Sequence, residues 1–223
     1  MTLSLTLIII IITTLISIGG FNNQKIKDDL IFYPPSITQR NQWYRFFTCG
    51  LIHADFIHLI FNMFSLYMFG EFVEMAFSSP ILFGEKGKFL YLGMYILALF
   101  FCLLPTFVKH KNDYYYRSLG ASGAVSAVVF AGILFNPTAK LGFFIIPPII
   151  PGYIFGPLYL IASTYLEKNS RDNVNHSAHI WGALFGIGFI ITAAAALKTD
   201  YQPVEQFIEK IKKVPSDVPI ILV

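Results

Sequence analysis

The chain has 223 residues, 55% of them hydrophobic and 17% aromatic, with only 13% charged and a net charge of +3. A soluble domain carries about 25% charged residues, so the composition excludes an ordinary water-soluble globule and indicates an integral membrane protein. The positive charges are few and scattered, which excludes a nucleic-acid interface built on a basic patch.

A spanning helix needs about 20 mostly apolar residues. On that rule the sequence predicts six: Leu3–Gly20, Phe56–Ala76, Phe89–Val108, Ser122–Phe135, Leu141–Leu166 and Ser177–Leu197. The first lacks a basic leading region and a small-residue cleavage site, so it reads as a membrane helix and not as a signal peptide. Phe21–Cys49 follows as a long first loop, aromatic and mixed in charge, expected to fold onto the membrane face. The fourth span is short, bounded by Gly120 and by Asn136-Pro137. It is expected to start below the membrane surface, shielded from lipid by its neighbours, with its first turn in a buried cavity. In the tail from Thr199, Val204, Phe207, Ile208 and Ile211 repeat at helical spacing beside Lys210, Lys212 and Lys213, which suits an interfacial amphipathic helix. The expected division is therefore a membrane domain over 1–198 and a tail over 199–223. Lys and Arg divide almost evenly between the two sides of the membrane, so charge alone does not orient the chain. Cys49 and Cys102 show no framework spacing and read as small apolar filler.

Polar and ionisable groups are costly in hydrocarbon and point to function by default. The second span is entered through His53-Ala54-Asp55-Phe56-Ile57-His58-Leu59-Ile60-Phe61-Asn62. At about 100° per residue His58 and Asn62 fall on one face, whereas His53 is rotated by about 140° from His58 and lies nearer the loop. Both His58 and Asn62 are donors that can point at a developing negative oxygen, as acyl transfer requires. An isolated Asn62 would be read as glue between helices; paired with His58, and accompanied by a separate Ser and His, it reads as functional.

Ser122 lies in Gly120-Ala121-Ser122-Gly123, where the polar run Lys109–Arg117 gives way to an apolar stretch. His179 lies in the sixth span and shares a face with Gly182 and Gly186, a spacing that lets two helix backbones approach closely. The expected partner is the fourth helix, where Gly120, Gly123, Ala127 and Ala131 also lack bulk. Such an approach would bring Ser122 within hydrogen-bond reach of His179, the geometry of a Ser–His dyad. Each short motif is common alone; the combination with His58 and Asn62 is specific.

These residues resemble the rhomboid family of intramembrane serine proteases, in its compact bacterial six-span form. The matching pieces, in the family's order, are Trp43 and Arg45 in the first loop, His53-x4-His58-x3-Asn62, Gly120-x-Ser122-Gly123, and Ala178-His179-x-x-Gly182-x-x-x-Gly186. Pro147, Pro148 and Pro151 before Gly156-Pro157-Leu158-Tyr159 resemble the family's fifth span, so the likeness covers roughly 40 to 190. It implies an all-α membrane bundle of six helices, with a long first loop and a short central fourth helix. It implies Ser122 as nucleophile, His179 as general base and acid, and an oxyanion hole of His58, Asn62 and the Ser122 amide. Gly120, Gly123, Gly182, Gly186, His53 and Arg45 would support that site. No metal or cofactor is implied. The substrates would be single-span or multi-span membrane proteins, entering from the bilayer between the second and fifth spans. The N-terminus would be cytoplasmic and the cavity would face outward, which suits a bacterial inner or plasma membrane.

Two departures from the family pattern stand out. Trp43-Tyr44-Arg45 has one residue inserted relative to an adjacent Trp-Arg, which leaves Arg45 as the positional match. Many members carry an aromatic one turn after the nucleophile to pack on the imidazole, and here that position is Ser126. His179 is then held less firmly, or by another aromatic such as Trp181 or a tyrosine from elsewhere. Near the site, His176 is expected to be solvated or capping, Asp55 to start a helix, and Glu71 and Glu74 to sit at the cytoplasmic interface. The competing readings are a membrane metal or haem protein using His53, His58, His176 and His179, and a non-catalytic relative that binds membrane segments. The first leaves Ser122, Asn62 and the glycines unexplained, and the H-E-x-x-H zinc-protease pattern is absent.

Overall fold

A computed structural model describes residues 3–143, 146–169 and 174–213. The apolar helix α1 (Leu5–Asn22) begins at Ser4, whose hydroxyl accepts from the Leu7 amide. Its first amides are satisfied from a distance. Glu74 accepts from the amides of Leu5 and Thr6 at 3.0 and 2.9 Å and from the Thr6 hydroxyl at 3.0 Å, while the Ser4 hydroxyl donates to Glu71. A carboxylate facing a helix N-terminus meets both its orphan N–H groups and its positive dipole end. Glu74 is therefore buried, at the end of the bundle where the chain begins.

The first loop folds into three short helices, α2 (Gln24–Leu30), α3 (Pro34–Arg40) and α4 (Arg45–Thr48), and a 3-10 turn over Cys49–Leu51. Buried Arg45 ties them together: its Nε donates to Gln42 Oε1 at 2.7 Å, and one terminal nitrogen donates to the carbonyls of Asp28 and Ile31 at 2.9 and 2.7 Å. Trp43 stacks on Phe46, which also packs against Phe32, Phe100 and Phe107.

Asp55 caps α5 (Phe56–Phe77), accepting from the His58 amide at 2.8 Å. Next come α6 (Gly87–Phe101) and α7 (Leu104–His110), with a break at Cys102–Leu103 just before Pro105, which lacks the N–H a continuous helix would need. The core helix α8 (Ser122–Phe135) is buried at every position except Ser122 and Val129. Its 14 residues rise only about 21 Å, against a hydrocarbon thickness of about 30 Å. It therefore survives only as a buried element, packed between α5, α6 and α10 (His176–Leu197).

The segment 141–166 departs from the expected single span. A two-stranded antiparallel hairpin of β1 (Lys140–Phe143) and β2 (Ile146–Pro151) comes first, in the register Lys140↔Pro151, and α9 (Gly152–Asn169) begins after it. Three prolines in six residues remove the amide donors a helix needs there, so the chain extends until Pro151 is passed. Among the described residues, the segments 5–22, 56–77, 84–110 and 176–197 are long and apolar enough to cross a membrane. The chain is thus a helical membrane bundle that also carries one hairpin. In the tail, α11 (Pro203–Lys212) leaves Val204 and Ile208 exposed, while Lys210 Nζ donates to the Phe135 carbonyl at 2.6 Å and satisfies the C-terminus of α8. The expected tail beyond Lys213 lies outside the described residues.

The tightest contact in the bundle is between α8 and α10. A Cβ on Gly182 would lie 2.0 Å from the Gly123 carbonyl oxygen, and one on Gly186 would lie 2.3 Å from that of Ala127. Backbone atoms cannot rotate away as a side chain can. Gly182→Ala is therefore expected to cost about 1–3 kcal/mol or more, read as a lowered midpoint of thermal unfolding in detergent. A variant as stable as the parent would show that the two helices can separate freely.

Candidate active site

The start of α8 is set by its neighbours. Gly120 adopts φ +111°, a conformation that favours glycine, and a Cβ there would lie 2.7 Å from the His58 ring. Its amide donates to the Cys49 carbonyl at 2.9 Å. On the other side, a Cβ on Gly123 would meet Cys102 Sγ at 2.4 Å. Ser122 is thus held between glycines that allow the first loop, α5 and α6 to close around it. As the first residue of α8 it also has an amide with no partner inside the helix.

His179 lies in the first turn of α10, whose N-cap Asn175 accepts from the Ala178 amide at 3.0 Å. Glu167 of α9 accepts from the Ser177 amide at 3.0 Å and pairs with Lys109 at 3.2 Å, tying the end of α9 to the start of α10. His179 Nε2 and Ser122 Oγ are 2.8 Å apart, a hydrogen bond of ordinary length. Both side chains line one cavity of about 1270 Å³, together with His58, Asn62, Ser126 and Tyr159. Asn62 donates one amide hydrogen to the His58 carbonyl at 2.9 Å, which leaves the second for another acceptor.

His53 lies behind this cavity, in the loop before α5, and is 1% exposed. The Ala121 amide, which can only donate, approaches His53 Nε2 at 3.4 Å. Nε2 is then the acceptor and Nδ1 carries the proton, which it donates to Ser17 Oγ at 2.9 Å; Ser17 in turn donates to the Leu51 carbonyl at 2.9 Å. This chain pins the residue before Ser122 to α1. The His53 ring also meets the His58 ring edge-on at 4.9 Å.

A family model described as Rhomboid domain matches residues 40–196. The chain belongs to the rhomboid family. Among curated relatives, Rhomboid-like protein 11, chloroplastic, of Arabidopsis thaliana is 30% identical over 155 residues, 65% of this chain and 50% of that protein. Putative rhomboid protease YdcA of Bacillus subtilis is 26% identical over 71% of this chain and 70% of its own length. Rhomboid protease AarA of Providencia stuartii is 25% identical over 72% and 60%. Relatives of this rhomboid thus include named proteases. The chain spans half or less of the length of several curated relatives that it matches.

Of the residues expected to form or support the site, Ser122, His179, His58, Asn62, Gly120 and Gly123 line the cavity of this rhomboid. Gly182 and Gly186 lie on the α8 backbone, His53 lies behind the Ser122 loop, and Arg45 is buried inside the first loop, bonded to the carbonyl of the cavity-lining Ile31. His176 is buried and not solvated, its ring edge-on to His179 at 5.8 Å, because it is the first residue of α10 and not part of a loop. Among the described residues no three His, Cys, Asp or Glu side chains converge as a metal site would require.

The aromatic against His179 is Tyr159 of α9. Its ring lies 6.3 Å from the imidazole at 28°, and its hydroxyl is 3.0 Å from Ser126 Oγ. Trp181 is exposed instead. Sequence reasoning quoted Tyr159 only as part of the fifth span. A small polar Ser126 facing a tyrosine-bearing span was the available signal, but the proline-rich register of 141–166 hid which face Tyr159 presents.

Burial pushes the His53 imidazole down from 6.5 to about 3, and the neighbouring His58 adds to the effect. Between these values the unfolded chain takes up a proton that the folded chain refuses, so stability is full above about pH 6.5 and falls as pH drops toward 3. His53→Gln is expected to flatten that fall in unfolding midpoint. An unchanged slope would show that His53 is protonated in the folded protein.

Proposed function

We propose that this rhomboid is an intramembrane serine endopeptidase that cleaves transmembrane or juxtamembrane segments of membrane proteins. The observation that carries the reading is the 2.8 Å contact between His179 Nε2 and Ser122 Oγ inside a cavity of a membrane bundle. In the reaction, Ser122 Oγ gives its proton to His179 Nε2 as it attacks a peptide carbonyl. His58, the free amide hydrogen of Asn62 and the Ser122 backbone amide face the resulting oxyanion. The imidazolium returns the proton to the leaving amine, and water, deprotonated by the same ring, then hydrolyses the acyl-enzyme and releases Ser122.

A helix in lipid satisfies its own backbone groups, so a substrate segment must unwind before its carbonyl reaches Ser122. Small and helix-destabilising residues at the cut site follow from that requirement. We read 1–198 as the membrane domain, with a cytoplasmic N-terminus and an outward-facing cavity, and 199–223 as a tail bearing the amphipathic α11. A bacterial inner or plasma membrane is the location this reading assigns. No cofactor enters the scheme. The reading of a non-catalytic binder is disfavoured because both the hydroxyl and the imidazole are present and in contact.

Ser122→Ala and His179→Ala are each expected to abolish cleavage of a model single-span substrate in proteoliposomes, without lowering the unfolding midpoint. They should also abolish labelling by a serine-directed fluorophosphonate. Cleavage by Ser122→Ala at the parent rate would overturn the assignment. The double variant His58→Ala/Asn62→Ala is expected to lose about 10²–10³ in kcat; full kcat would make both residues structural.

A further inference from the structure

We propose that Tyr159 is the positioning residue for His179, and that the Ser126–Tyr159 hydrogen bond sets it in place. This inference rests on the proposed Ser122–His179 dyad. The position one turn after Ser122 on α8 is the natural place from which to support the imidazole, but a serine side chain cannot reach it. The structure fills the space from the opposite direction. Tyr159 comes from α9, packs against Phe130 of α8 at 5.6 Å and Phe155 of its own helix at 5.9 Å, and lies face to face with His179 at 6.3 Å. Ser126, only 5% exposed, meets the phenol hydroxyl at 3.0 Å.

Each partner accounts for the other. A buried hydroxyl without a partner is costly, and the phenol supplies one for Ser126. Ser126 ties the phenol to α8, and Ser163 of α9 also bonds the same hydroxyl from one turn along its own helix. Three helices therefore meet at one hydrogen bond: α8 holds the phenol, α9 carries it, and α10 presents the ring that it orients. The Ser122 hydroxyl at Nε2 and the Tyr159 ring are then two of the contacts that hold the base, beside the edge-on His176 ring. An aromatic contact of this kind biases ring orientation by a factor of up to about ten, and misplacing a catalytic group by 1 Å can cost about 10²-fold in rate.

A small fluorophosphonate separates this role from substrate docking, because its reaction rate reports activation of Ser122 by the base and needs no bound helix. Tyr159→Ala is expected to lower the labelling rate and kcat about tenfold or more, with KM unchanged. Tyr159→Phe keeps the ring and loses the hydroxyl, and Ser126→Ala breaks the same bond from the other end. Each is expected to cost a few-fold, and their double variant no more than Tyr159→Phe alone, because the phenol's loss already removes the Ser126 bond along with that to Ser163. Should Tyr159→Ala fail to fold, this cycle of two conservative variants is the test. Parent labelling rates in Tyr159→Ala, or losses that multiply in the double variant, would overturn the proposal. If Ser122→Ala and His179→Ala are inactive while the Tyr159 and Ser126 variants match the parent, only the positioning role fails. If Ser122→Ala still cleaves, the dyad itself fails.

Discussion

The contact between the backbones of α8 and α10 is the constraint on which the rest of the structure depends. Gly182 and Gly186 meet the carbonyls of Gly123 and Ala127 so closely that no side chain could stand between them. In lipid there is no hydrophobic force to press two helices together, so association rests on close van der Waals packing of small residues. That same closeness sets the distance between Ser122 and His179. Packing and chemistry therefore share one interface. A bulky residue there would remove the stability of the centre and the 2.8 Å contact together.

The shortness of α8 is the second half of the arrangement. A helix of 14 residues cannot span the hydrocarbon, so one of its ends must lie at depth. Both ends are served by other parts of the chain. At its start Gly120 is held by Cys49 against the His58 ring and Ala121 by His53; at its end Lys210 of α11 reaches the Phe135 carbonyl. Polar backbone groups in the membrane interior are tolerated only where protein or a water-filled cavity receives them. The large cavity over the first turn of α8 is lined by Ser122 together with His58, Asn62 and His179, which gives the serine hydroxyl polar neighbours in an apolar bundle.

Much of this was legible in the sequence. The long apolar runs are read by length alone, and α1, α5 and α10 lie within a few residues of their expected bounds. The grouping of Ser122, His179, His58 and Asn62 followed from helical spacing and from small residues on facing helices. What escaped detection depended on contacts between distant parts of the chain. The burial of Glu74 is not read until its partner, the N-terminus of α1, is known. His53 looks like a loop histidine until Ser17 and Ala121 close on its two nitrogens. The hairpin over 140–151 was missed for a different reason, because hydrophobicity does not separate a strand from a helix and only the prolines do.

Tyr159 shows how such a blind spot can conceal a compensation. Read alone, Ser126 looks like a deficiency, a small residue where an aromatic would serve the imidazole. A missing aromatic leaves room at the cavity wall beside the imidazole. The phenol from α9 reaches into it, and its hydroxyl bonds Ser126, a small polar neighbour that an aromatic there could not be. Ser126 and Tyr159 are thus alternatives to a single bulky residue, divided between two helices. The consequence is mechanical. In this arrangement the Tyr159 ring reaches the imidazole only while α9 is seated against α8, so the position of one helix of the bundle decides whether that contact exists.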